Sequence, residues 1–261
     1  MTSSFHLTKW YLDCVSDTGD TAIGYSAGLS WKSLALSSAS YLKWNQEQGR
    51  EEQSSLFQCR QPELTADGIT WNSEGLSCRG TWRPTRLAAI PPVVLYENSA
   101  GSVTWHCLQP LADVRFQING DEYAGLGYVE RLDMTLAPWR LPIRELHWGR
   151  FLSHDSSLIW IEWRGPHPLT LVYLNGEKLG HTGVSPTRLS WGNGRLDMRD
   201  QVVLRNGPIV KTALAHIPGV KSLFPEALLQ THECKWRSQG ELLHEEKRCT
   251  GWVIHEIVRF G

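Results

Sequence analysis

The chain has 261 residues and a formal net charge of −1, its 26 Lys and Arg interspersed with 27 Asp and Glu. That length suffices for one large β domain or two of ordinary size, each able to bury a core without a covalent staple. The near-neutral charge excludes nucleic acid or an anionic membrane as the principal partner, since both select a basic surface, and no apolar run approaches the roughly 18–20 residues of a membrane span.

The N-terminus, MTSSFHLTKWYLD, lacks the charged and apolar regions of a secretory signal, so a cytoplasmic protein is expected. Residues 21 to 31, TAIGYSAGLSW, alternate along their whole length. Ile23, Tyr25, Ala27, Leu29 and Trp31 form a bulky face, and Ala22, Gly24, Ser26, Gly28 and Ser30 a small one, which predicts a β-strand. GYSAG within it matches the G-x-S-x-G nucleophile elbow, but that chemistry needs a strained turn and a following helix, and the alternation runs on unbroken. The strand reading is preferred.

SSLFQCRQ, GITWNSEGLSCRGTW with a central Asn-Ser-Glu-Gly turn, SVTWHCL and DVRFQING continue the β pattern. GLGYVER, residues 125 to 131, is not a dinucleotide loop, because the third glycine is replaced by Glu130 and no helix follows. As a strand it places Tyr128 and Glu130 on one face, and its glycine pair marks a bulge or a close backbone approach. A carboxyl in an apolar space is a proton donor near neutral pH. An ion pair between Glu130 and an arginine is the structural alternative.

LAPWRLPIREL, residues 136 to 146, breaks the pattern with prolines and suits a connector, giving expected domains 1–140 and 141–261. In RELHWGRF, Glu145, His147 and Gly149 share one face, with Trp148 and Arg150 on the other. His147 is a candidate base or hydrogen-bond donor whose tautomer Glu145 would fix. SLIWIEWRG, LTLVYLNGEKLG, QVVLRNG, HECKWRSQGELLHEEKRC and GWVIHEIVRFG read as further strands, and GVKSLFPEALLQ is the one helical stretch suggested. The halves share only a loose rhythm of Trp-bearing strands. The six cysteines form no C-x-x-C pair and suit buried reduced thiols, while the scattered histidines give no metal-ligand spacing. No metal and no cofactor is expected. The 13 tryptophans either fill barrel cores or wall a pocket for a bulky apolar ligand.

On KWYLD, GLGYVER and LHWGRF, the chain resembles the carotenoid 1,2-hydratase (hydroxyneurosporene synthase) family and its lipocalin-like relatives, Diels–Alderase-type cyclases among them. The resemblance implies two lipocalin-like antiparallel β-barrel or sandwich units packed together, with an apolar site for a polyene, terpenoid or polyketide-like substrate. Tyr128 and Glu130 match its Tyr-x-acid, and Trp148 and Arg150 its following aromatic-basic strand. Two features depart from it: Val129 and Arg131 flank the acid where the hydratases carry histidines, and the Trp-Gly pair comes only at Trp148 and Gly149. The expectation is a cofactor-independent cyclase, isomerase or hydratase with Glu130, Tyr128 and His147 catalytic. Trp148, Arg150, Tyr25 and Trp105 would bind substrate. A non-catalytic lipocalin-like carrier of a hydrophobic ligand is the alternative.

Overall fold

The computed structural model describes residues 5–87, 89–180, 182–209 and 230–261. The fold is all-β, in two compact units that divide between Leu141 and Pro142, inside the proline-rich crossing. The suggested helix over residues 219–230 lies almost wholly outside the described residues. Among the described residues no helix is long and apolar enough to cross a membrane.

The first unit is a ten-stranded antiparallel sheet made of β1 (Phe5–Val15), β2 (Thr21–Trp31), β3 (Leu34–Asn45), β4 (Gly49–Ser55), β5 (Glu63–Thr65), β6 (Gly68–Ser73), β7 (Cys78–Pro84), β8 (Val93–Asn98), β9 (Gly101–Ile118) and β10 (Asp121–Met134). Its order is β4-β3-β2-β1-β10-β9-β7-β6-β5, with β8 beside β9. The sheet is thus an up-and-down meander whose first strand pairs with its last, and whose edges are β4 and β5.

Trp71, Trp82 and Phe116 fill the core with Trp10, Leu12, Cys14 and Val129. The small face of β2 turns toward this core because the tryptophans occupy the space. A methyl group on Gly24 would lie 2.4 Å from the Trp71 ring. Asn119 and Gly120, both at positive φ, make the β9–β10 turn, a conformation these two residues adopt at little cost. Asn119 Nδ2 also donates to the Tyr41 hydroxyl at 2.8 Å, tying that turn to β3.

One strand expectation fails. SSLFQCRQ is the end of β4 followed by an irregular connection. There the Ser55 hydroxyl takes the Phe57 N–H at 3.0 Å and donates to the Phe57 carbonyl at 3.1 Å, closing a local turn in place of a ladder. The Arg60 carbonyl is then pinned by Trp71 Nε1 at 2.9 Å and the Ser26 hydroxyl at 3.3 Å. Ser26 is therefore a buried structural hydroxyl in an unbroken strand, and the nucleophile elbow is absent.

The second unit is a nine-stranded antiparallel sheet of β11 (Glu145–Leu152), β12 (Ser157–Arg164), β13 (Leu169–Leu174), β14 (Glu177–Lys178), β15 (Gly183–Val184), β16 (Arg188–Trp191), β17 (Gly194–Pro208), β18 (His232–His244) and β19 (Lys247–Arg259). Its order, β14-β13-β12-β11-β19-β18-β17-β16-β15, repeats the scheme of the first unit: again the first strand pairs with the last. Phe151, Leu158, Trp160, Trp191 and Val253 lead its core. The six cysteines are free thiols, three of them buried.

Candidate functional site

The ladder between β9 and β10 shifts register between Gly127 and Val129 and again between Val129 and Glu130, passing over Tyr128. Such irregularities bend a strand and re-aim its side chains. On the other side, β1 pairs Leu12 with Val129 and Val15 with Leu126, which sets Asp13 opposite Tyr128. The Asp13 carboxylate enters the irregularity. Its Oδ1 accepts the Tyr128 N–H at 3.0 Å, and its Oδ2 accepts the Tyr11 hydroxyl at 2.9 Å. Asp13 is 0% exposed, so these bonds replace water a buried carboxylate would otherwise lack. The two glycines of GLGYVER let β1 come this near. A methyl group on Gly127 would lie 2.0 Å from the Asp13 carbonyl oxygen, and one on Gly125 2.2 Å from that of Val15.

Directly opposed residues of antiparallel strands share a face. Tyr25, Tyr11, Glu130 and Cys107 stand opposite one another on β2, β1, β10 and β9 and form one row. This face is the reverse of the one that packs Leu12, Cys14 and Val129 into the core. Glu130 Oε2 accepts hydrogen bonds from Trp105 Nε1 at 2.6 Å and from the Tyr128 hydroxyl at 2.8 Å. Tyr128, Tyr11, Trp105 and Cys107 are buried, whereas Glu130 and Tyr25 are half-buried. Tyr11 meets Tyr25 edge-on at 5.5 Å and Tyr128 at 6.1 Å.

Burial, and then the nearby Cys107 and Glu130, push the Tyr128 phenol well above its ordinary range, so it is held protonated. Burial likewise raises the Cys107 thiol, which stays neutral. The arrangement is a carboxylate bound by two neutral donors in an aromatic setting, able to accept a proton and hand it on.

The remaining predicted residues lie in the second unit. His147 is buried, with Nε2 2.6 Å from Glu145 Oε1. Glu145 also meets Arg164 at 3.1 Å and Arg259 at 2.9 Å. Burial raises the Glu145 carboxyl, but hydrogen bonds from His147 and Arg259 more than offset it and hold the group below its usual range. Trp148 and Arg150 point to the opposite side of β11. Lys235 Nζ sits 5.3 Å from the Trp148 ring, and Arg150 Nη1 donates to the Trp252 carbonyl at 2.9 Å. The structure therefore joins Tyr128, Glu130 and Trp105 in one cluster with Tyr25 in its row. It places His147 apart from Trp148 and Arg150. Asp13, Tyr11 and Cys107 are members that sequence reasoning missed. Tyr11 and Asp13 had one signal, their two-residue spacing in KWYLD. Cys107 had none. Among the described residues no group of three or more His, Cys, Asp or Glu could hold a metal ion.

No protein-family model and no curated protein sequence matches the chain. Solved structures do. The fold is similar to that of a putative AttH from Nitrosomonas europaea (TM-score 0.53, 10% identity, 97% of this chain and 92% of that one). It is similar also to kievitone hydratase from Nectria haematococca (TM-score 0.53, 12% identity, 97% and 88%). A third is the protein CghA (TM-score 0.52, 11% identity, 98% and 88%), solved also with Sch210972. At identities this low the likeness establishes the fold.

Proposed function

We propose that the chain is an enzyme that binds a bulky apolar metabolite and moves a proton on it through the Glu130–Tyr128 pair, giving isomerisation, cyclisation or hydration without a cofactor. The observation that carries this reading is the half-buried Glu130 carboxylate, bound by Tyr128 and Trp105 on the face of β10 turned away from the packed core. In this reading protonated Glu130 gives its proton to the substrate, and the resulting carboxylate, stabilised by the Tyr128 phenol, then takes one back from another position of the substrate in isomerisation or cyclisation, or from the attacking water in hydration. Tyr11, Tyr25 and Trp105 supply π-faces that stabilise positive charge developing on an apolar skeleton. His147, tied to Glu145, and Trp148 with Arg150 are not needed for the proton step. The name of one structural neighbour, kievitone hydratase, agrees with the class of reaction.

The test is incubation of the wild-type chain and Glu130→Gln with the apolar metabolites of the source cell, followed by mass analysis. Conversion by the wild type is expected to give a product isobaric with its substrate or one water heavier. The variant should be slower by roughly 100- to 10,000-fold. Undiminished turnover by Glu130→Gln would remove the carboxyl from the mechanism. Tight binding by the wild type with no conversion would make the chain a carrier.

A further inference from the structure

Glu130 and Arg131 are consecutive on β10 and so point to opposite faces of the first sheet. Arg131 stands opposite Trp10 of β1 and His106 of β9, and Asp133, two residues on, stands opposite Thr8. Trp10 belongs to the packed core, so this is the core side of the sheet, at the place where the core gives way to half-buried polar groups. Asp133 gathers those groups. Its Oδ1 accepts the Thr8 hydroxyl at 2.8 Å, and its Oδ2 accepts Arg131 Nε at 2.9 Å and lies 3.1 Å from His106 Nε2. Burial and the Arg131 cation outweigh Asp133 and hold His106 below the usual histidine range, so its ring is neutral at neutral pH.

Asp133 engages Arg131 through Nε, and among the described residues nothing else bonds the guanidinium, so the N–H groups of its two terminal nitrogens remain to be given. That fork matches the two oxygens of a carboxylate. The guanidinium carbon lies 5.5 Å from the centre of the Trp10 ring. Trp10 is 3% exposed, and its Nε1 has no hydrogen-bond partner. A buried indole N–H normally finds an acceptor, and leaving it without one is costly. Two neighbouring donors, one of them a cation, thus call for an acceptor oxygen. We propose that this core-side cluster is a second binding site, separate from the Glu130 face, which takes the carboxylate of a small organic acid on the Arg131 fork with Trp10 Nε1 as a further donor. Asp133 is its positioning residue: it fixes the guanidinium from the Nε side, while Thr8 and His106 help to compensate its charge.

Butyrate, butyramide and butanol share one short chain and differ in head group: an anion, a neutral amide and an alcohol. The full chain, isotope-labelled, is titrated with each while the indole N–H resonances are followed by NMR, Trp10 being assigned by its loss in Trp10→Phe. Butyrate should move the Trp10 resonance saturably, and the other two should bind at least about tenfold more weakly. Arg131→Gln, its fold checked by the remaining indole resonances, should weaken butyrate by about tenfold or more. Arg131→Lys keeps the charge without the fork and should recover only part of that loss. A Trp10 resonance that butyrate leaves unmoved, butyramide binding as tightly as butyrate, or an affinity untouched by Arg131→Gln overturns the site. Full recovery by Arg131→Lys overturns the forked contact. None of these outcomes bears on the proton step assigned to Glu130.

Discussion

A methyl group on Gly127 would lie 2.0 Å from the Asp13 carbonyl oxygen and 2.6 Å from Val114 Cγ2. The first of these atoms is backbone and cannot turn aside as a side chain would. Gly127→Ala must therefore push β1 and β10 apart at the point where Asp13 holds both Tyr128 N–H and the Tyr11 hydroxyl. Overpacking of this kind costs about 1–3 kcal/mol, and the upper end applies where no side chain can yield. The urea midpoint of Gly127→Ala should fall accordingly, and an unchanged midpoint would show that the two strands can separate freely. The residues of GLGYVER thus divide between two tasks. The glycines allow close approach, and Tyr128 and Glu130 use the re-aimed strand. The glycine pair was readable as a mark of close approach, since glycine within a strand has few other reasons. The acid that fills the gap was not, because Asp13 lies more than a hundred residues away and nothing local links it to Tyr128.

At the scale of single strands, alternation along one element was the most legible signal. β2 spans the predicted residues 21 to 31, and β11 splits RELHWGRF into the two predicted faces. Which face meets a core was not legible, since Gly24 looks like the poor side of β2 until Trp71 from β6 is placed against it. The tryptophans divide likewise. Trp71, Trp82 and Trp160 fill cores, whereas Trp105 serves Glu130. β3 was missed because its serine-rich run, Ser37 to Ser40, carries little apolar contrast.

In the second unit, β18 and β19 bring the Ser238 hydroxyl 3.0 Å from His255 Nε2, and Trp236 stacks on the same ring at 5.1 Å. Burial, with Lys235 and His147 nearby, lowers His255 to about 3. In the unfolded chain histidine titrates at about 6.5. Between those values the unfolded state binds a proton that the folded state refuses. The stability owed to neutral His255 is therefore intact above about pH 6.5 and declines as pH falls toward 3, at about 1.4 kcal/mol per pH unit. Urea midpoints measured from pH 7 to pH 4 should fall more steeply for the wild type than for His255→Gln. Parallel curves would mean that His255 accepts its proton in place.

In the whole chain the two units follow one strand scheme: four strands out, a break, five strands back along the sheet, and a seam between the first strand and the last, the first unit adding β8 beside β9. The residues preserve only the loose spacing of Trp-bearing strands, so the shared scheme is a property of the pairing and not of a visible repeat. The seams join strands separated by most of a unit, so no local pattern announces them. In the first unit the seam runs from Leu7 opposite Met134 to Val15 opposite Leu126, and it makes the β4–β5 connection a link between two sheet edges. Phe57 lies in that connection, 68% exposed, where chymotrypsin can reach it. A cut after Phe57 severs the chain but leaves the pairing of β1 with β10 and of β2 with β3 whole. The Arg60 carbonyl, on the far side of the cut, remains tied to Ser26 and Trp71. The fragment ending at Phe57 should therefore stay bound to the rest of the chain through size-exclusion chromatography in native buffer and separate only in denaturant. Its release in native buffer would mean that the seam contributes less than the connection, and that the meander is held together chiefly by its loops.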